Sequence, residues 1–141
     1  MTLDLSSLQK ALQSLERAVR ICGEKAAVGD VPPEELELLR AGVIQNFEFT
    51  YELCWKFIQR WIRENRTAEE ADHPRSRKEL FRLAAQLGLI ADPLPWFDYG
   101  EKRNLTSHTY DEGTAALVYA TAVNFLPDAA FLCRQLEASN D

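Results

Sequence analysis

Between residues 5 and 22, Leu5, Leu8, Leu12, Leu15, Val19 and Cys22 recur at three- and four-residue intervals, with polar side chains between them. That spacing draws one apolar stripe along a helix. Asp4 or Ser6 is placed to cap its start, and Gly23, then Gly29-Asp30-Val31-Pro32-Pro33, punctuate its end. Residues 34–66 hold the longest periodic run. Leu36, Leu39, Val43, Phe47, Tyr51, Cys54, Ile58, Trp61 and Ile62 make one stripe, and Phe49, Leu53 and Phe57 make a second. A helix with two apolar faces needs two burial partners. The rest of the bundle supplies one; a second copy of the chain supplies the other, which predicts a dimer, unless more of its own chain surrounds the helix.

Residues 67–74 are polar, end in Pro74, and are predicted to form a loop. Ser76 and Glu79 fit a capping box ahead of a short helix carrying Leu80, Leu83, Ala84 and Leu87, which Gly88 closes with Leu89 folding back. Asp92-Pro93 opens the next helix, with Pro in its tolerated first turn. That helix is expected to run through Trp96, Phe97 and Tyr99 to a break at Asp111-Glu112-Gly113-Thr114. Val118, Ala122, Phe125, Ala129, Leu132 and Leu136 stripe the last helix, in which Pro127 removes a hydrogen bond and predicts a kink. No strand alternation and no repeat is visible. The expectation is an all-α fold: an up-and-down bundle of about five helices with a four-helix core, as one domain over residues 1–141.

Composition sharpens this picture. A chain of 141 residues, 46% hydrophobic, can bury one sizeable core. No apolar run approaches the roughly 18 residues that a membrane span needs, and MTLDLSSLQK lacks the basic-then-apolar order of a signal peptide. A cytoplasmic protein without membrane association is expected. Cys22, Cys54 and Cys133 match no zinc spacing and sit in apolar helical contexts, so they read as small buried thiols, with no metal or cofactor implied. The net charge of −6 disfavours unspecific binding to polyanions. Charge is uneven, however: His73, Arg75, Arg77, Lys78 and Arg82 form a basic stretch, followed by Lys102 and Arg103, which allows a basic groove on an acidic body.

The candidate chemistry lies in RNLTSHTY, Arg103 to Tyr110, which contains one of only two histidines. On a straight helix Arg103 stacks near Ser107 and Asn104 near His108, so Arg103 and His108 diverge. They meet over one ligand only if the helix end unwinds or the arginine reaches round, and the break at 111–113 places the unwinding just past His108. A guanidinium grips a phosphate and an imidazole transfers protons near neutral pH. The plain alternative is C-terminal capping, since cations favour that end of a helix. In QNFEFTYELCWK, Gln45 to Lys56, Glu48, Glu52 and Lys56 recur every four residues. They read either as a surface ladder with a Glu52–Lys56 pair, or as partly buried carboxylates whose partner is Arg103. Trp96 and Tyr99 fit the core better than a base-stacking platform.

These two blocks, with GLIADPLPW between them, resemble the nucleotidyltransferase substrate-binding protein family, part of the HEPN superfamily of helical bundles. The likeness covers about Leu8 to Leu136, and Arg103-x4-His108-x-Tyr110 is its specific part. The resemblance implies a homodimer encoded beside a minimal nucleotidyltransferase and assembling with it. It further implies one of two activities: a subunit that binds a substrate or nucleotide for the transferase, or a toxin–antitoxin system in which the bundle is a metal-independent ribonuclease. In the latter, Arg103 and His108 would act together at the dimer interface on RNA, Asn104 would orient the imidazole or the phosphate, and Glu48, Glu52, Ser107 and Lys102 would support them. The transferase would silence the site by adding AMP to Tyr110. A structural homodimer whose polar run merely caps a helix remains the third possibility.

Overall fold

The structure, a computed structural model, describes residues 2–140. Its helices are α1 (Ser6–Val28), α2 (Pro33–Asn65), α3 (Ala68–Asp72), α4 (Arg77–Gln86), α5 (Pro93–Asn104) and α6 (Glu112–Ala138), with a 3-10 turn at Thr106–His108. The described residues contain no strand. The five expected helices are present, and a sixth, α3, occupies the expected loop. Thr67 makes α3 possible: its hydroxyl accepts from the Glu70 N–H at 3.0 Å and satisfies a first-turn donor.

Most boundaries have local causes visible in the sequence. The Asp4 carboxylate accepts from the Ser6 N–H at 3.0 Å, just ahead of α1. Helix α1 passes through Gly23 and stops at Gly29, whose φ of 75° is the left-handed conformation that ends helices. Ser76 caps α4 through the Glu79 N–H at 3.2 Å, while the Glu79 carboxylate reaches back to the Arg75 N–H at 2.6 Å. At the other end Leu89 donates to the Ala84 carbonyl and Gly88, at φ 80°, to that of Ala85. This double closure is a Schellman motif, with Leu89 buried as its apolar contact.

Contacts fix the helix directions. Ser14 donates to Asn46, and Thr50 donates to the Ala11 carbonyl, so α1 and α2 are antiparallel. Arg40 lies over Tyr119, Phe47 packs on Phe125, and Trp61 donates to the Ser139 carbonyl, so α2 and α6 run parallel. This is the pattern of a bundle in which α1, α2, α5 and α6 alternate direction. Phe125 sits at its centre with ring centroids 5.1–5.5 Å from Phe47, Trp96 and Tyr99. Trp96 and Tyr99 are therefore core residues, 2% and 4% exposed, and present no face to a base. Cys22, Cys54 and Cys133 are buried free thiols.

The second stripe of α2 and the length of α6 bear on two expectations. The second stripe of α2 is mostly covered by the chain itself: Phe57 is buried and Leu53 half-buried, leaving only Phe49 exposed. And α6, as a helix, is long and apolar enough by length and composition to cross a membrane. Eight of its residues, from Val118 to Leu136, are buried against the bundle.

Candidate functional site

The α-helix that carries Arg103 ends at Asn104, before the motif is half complete. The expected unwinding is real but lies ahead of His108 instead of beyond it. Leu105 donates to the Lys102 carbonyl in an i,i−3 bond that tightens the turn. The Thr106 hydroxyl donates to the Arg103 carbonyl at 2.9 Å, and that of Thr109 to the Thr106 carbonyl at 3.2 Å. Threonine side chains thus take carbonyls that a continuing helix would have used. The 3-10 turn that follows carries His108 exposed at its end, with the Tyr110 ring edge-on at 6.2 Å between centroids.

Arg103 is half-buried, and its guanidinium is fixed on three sides. Its Nε–H donates to the Glu52 carboxylate at 2.9 Å, one terminal nitrogen faces Glu48 at 3.4 Å, and the other donates to Thr106 at 3.4 Å. Glu52 is itself held by the Trp55 indole N–H at 2.7 Å and approached by Arg77 at 3.6 Å. Five N–H donors project from a guanidinium; these contacts orient the fork and leave part of it for a ligand. The carboxylates of the QNFEF block and the arginine of the RNLTS block, 51 residues apart, therefore form one cluster.

The expected Glu52–Lys56 pair is absent. The Lys56 ammonium instead lies 5.7 Å over the Trp55 ring, because Glu52 turns toward Arg103. Lys102 points elsewhere as well, pairing with Asp98 at 2.7 Å one turn back on its own helix. Ser107 and Asn104 are exposed, and Asn104 borders a cleft of about 410 Å³ between α2, α4 and α5. Tyr110 is 85% exposed. Among the described residues, no three His, Cys, Asp or Glu side chains are grouped to hold a metal ion.

The sequence reading had Arg77 only in a basic stretch and Tyr51 only in a core stripe, and it singled out neither these nor Trp55 as site residues. Arg77 stacks 4.3 Å above the Trp55 ring and 5.7 Å from that of Tyr51. Burial pushes the Tyr51 phenol up, and the neighbouring Arg77 pulls it back. One signal for Arg77 was available: it opens a helix, where a cation opposes the macrodipole.

Comparison with known proteins agrees with this architecture. The family described as "Nucleotidyltransferase substrate binding protein like" matches residues 3–138. A Haemophilus influenzae protein named "Probable ribonuclease HepT" is 36% identical over 138 residues, spanning 98% of this chain and 94% of the relative. A solved structure from Haemophilus influenzae, described as revealing the fold of a substrate binding domain of a nucleotidyltransferase, superposes with a TM-score of 0.87 at 36% identity. It covers 95% of this chain and 99% of its own. A Thermus thermophilus crystal structure at 32% identity gives 0.55, covering 88% and 96%.

Proposed function

The chain belongs to the nucleotidyltransferase substrate binding protein-like family, and from that premise we propose that it is the helical partner subunit of a minimal nucleotidyltransferase in a two-component, toxin–antitoxin-like system, carrying a metal-independent RNA-cleaving site. The relative named as a probable ribonuclease supports the activity, and the family description supports the partner. The observation that carries the site is the guanidinium of Arg103, pinned by Glu52 and Glu48 immediately before the turn that displays His108.

The chemistry follows from RNA's own nucleophile. The 2′-oxygen attacks the adjacent phosphorus, and an imidazole takes the hydroxyl proton. The bond from phosphorus to the 5′-oxygen breaks, its electron pair leaving on that oxygen, which receives a proton from an imidazolium. Products are a 2′,3′-cyclic phosphate and a 5′-hydroxyl. Arg103 stabilises the charge gathering on the non-bridging oxygens, and its fixed orientation means little reorganisation accompanies the step. Asn104, on the helix end between Arg103 and the turn, orients the phosphate or imidazole.

A homodimer supplies two copies of His108 to share the roles of base and acid. Phe49 on α2 (58% exposed), Leu117 on α6 (58% exposed) and Tyr110 offer apolar surface for that association. AMP placed on the accessible Tyr110 adds bulk and negative charge beside His108, which blocks a polyanion without a large conformational change. The second reading, a non-catalytic subunit that binds a nucleotide for the transferase, is favoured by the cleft beside Asn104.

Incubation of the purified protein with RNA in EDTA separates the two. Cleavage that disappears in Arg103→Ala and His108→Ala, with melting behaviour retained, supports the ribonuclease. Intact RNA together with binding of a nucleotide or the transferase supports the second.

A further inference from the structure

The RNA-cleaving reading uses little of the cleft between α2, α4 and α5, yet its walls hold several features that fold stability does not explain. Arg77 and Lys78 occupy the first two positions of α4, where the helix dipole opposes cations. Both are planted on aromatic faces at the cleft: Arg77 on Trp55 at 4.3 Å, and Lys78 over Phe97 at 5.5 Å, with Arg82 over the same ring at 5.2 Å. Such stacking leaves the polar edge of a cation facing outward. Glu101 is the acidic residue on the wall.

The floor contains Tyr51, which is 1% exposed and whose side chain borders the cleft. Its ring is packed against Phe47, Phe81 and Phe125. Its hydroxyl opens on the cleft beside Arg77. Gly100 completes the arrangement. Glycine inside a helix costs up to about 1 kcal/mol relative to alanine, but a Cβ here would stand 2.8 Å from the Tyr51 hydroxyl. The glycine keeps α5 close over that oxygen.

The cleft's volume of about 410 Å³ lies in the range of roughly 300–1,000 Å³ that encloses small ligands. Cations, a phenol hydroxyl and aromatic rings together suit a phosphate joined to a sugar and a base. The cleft also neighbours the candidate reaction site: Asn104, next to Arg103 in the chain, is on its wall, and Arg77 and Arg103 approach the same oxygen of Glu52, at 3.6 and 2.9 Å.

The geometry points to a nucleotide subsite: the cleft takes the nucleotide next to the scissile phosphate, its own phosphate on Arg77 and Lys78, and its ribose and base against the Tyr51 hydroxyl, Asn104 and Phe97. This assignment rests on RNA being the substrate, and it deepens that reading by giving the strand a path from Arg103 toward the start of α4.

The test is fluorescence anisotropy with a labelled 2′-O-methyl oligonucleotide, which lacks the nucleophile and so reports binding alone. It is run with the wild type, Arg77→Met and Lys78→Met across a salt series, with adenosine 5′-monophosphate as competitor. Arg77→Met removes the charge but leaves a long apolar side chain at the position, and the exposed Lys78 leaves the core untouched if Arg77→Met proves unstable. Each variant is expected to weaken binding roughly tenfold and to flatten the log–log salt dependence by about 0.7, the contribution of one phosphate on a single strand. Competition by the mononucleotide that is lost in the variants also supports the subsite, with free nucleotides as its source. Unchanged affinity and slope in both variants overturn the subsite. Variant-sensitive binding by a protein that leaves unmodified RNA intact in EDTA counts against the ribonuclease reading alone, and the subsite then stands.

Discussion

Replacing Glu52 with glutamine tests whether the two sequence blocks act as one cluster. The substitution keeps the shape and one acceptor oxygen but removes the charge that Arg103 and Arg77 share at 2.9 and 3.6 Å. A fully exposed pair would contribute about 0–1 kcal/mol. A hydrogen bond to a charged group contributes roughly 1.5–3 kcal/mol. The Glu52 side chain is 24% exposed and that of Arg103 27%, so screening is partial. Glutamine also retains one contact, which sets the expected loss near 1.5–2 kcal/mol. For a domain of this size that lowers Tm by about 5–8 °C. The assay is thermal and urea unfolding of the wild type, Glu52→Gln, Arg103→Met and the double variant. The cycle should give a coupling of about 1 kcal/mol, reduced at high salt. Losses that add to within roughly 0.3 kcal/mol would refute the claim that Glu52 positions Arg103.

Three further outcomes follow from the packing and electrostatics. Gly100→Ala forces a methyl against the Tyr51 hydroxyl, 2.8 Å away, and should cost about 1–3 kcal/mol by urea unfolding; Tyr51→Phe in the same chain should restore most of it, and no rescue would place the clash elsewhere. The Asp111 carboxyl is held below its ordinary value of 3.8 by the Thr114 N–H and hydroxyl it accepts from. The unfolded chain binds that proton more readily, so the contribution is fully present above about pH 4 and is lost as pH falls through the lower folded value. Tm followed from pH 5 to 2 should fall less steeply in Asp111→Ala, and parallel curves would contradict this. Burial pushes the Cys54 thiol far up and that of Cys133 up to about 12, so an aromatic disulfide reagent at pH 8 should leave both unreacted in the native protein and label them on unfolding.

The sequence was most informative where structure is decided locally. The Schellman closure at Gly88 and Leu89, the Ser76 cap and the core stripes of α1, α2 and α6 depend on neighbours within one or two turns, and all were legible. The Thr67 cap was equally local but hidden among acidic residues. The site was half legible. Partial burial of Glu52 made Arg103 a reasonable partner, yet the end of α5 at Asn104 depends on the Thr106 and Thr109 hydroxyls claiming carbonyls, a competition that periodicity does not reveal. Arg77 was visible as one charge in a basic stretch and as a cation at a helix start. Its meeting with Glu52, Trp55 and Tyr51 depends on how α4 docks across α2. Lys102 illustrates the converse: adjacent in sequence to Arg103, it lies on another face of α5 and pairs with Asp98.

The most direct measurement is single-turnover cleavage, in EDTA, of an RNA oligonucleotide and of the same oligonucleotide carrying one 2′-deoxynucleotide at the scissile position, with product ends identified by mass. Cleavage of the first to a 2′,3′-cyclic phosphate and a 5′-hydroxyl, with the second intact at that bond, is the result predicted for Arg103 and His108 acting on RNA's own hydroxyl. Equal cleavage of both, or a 5′-phosphate product, would contradict it.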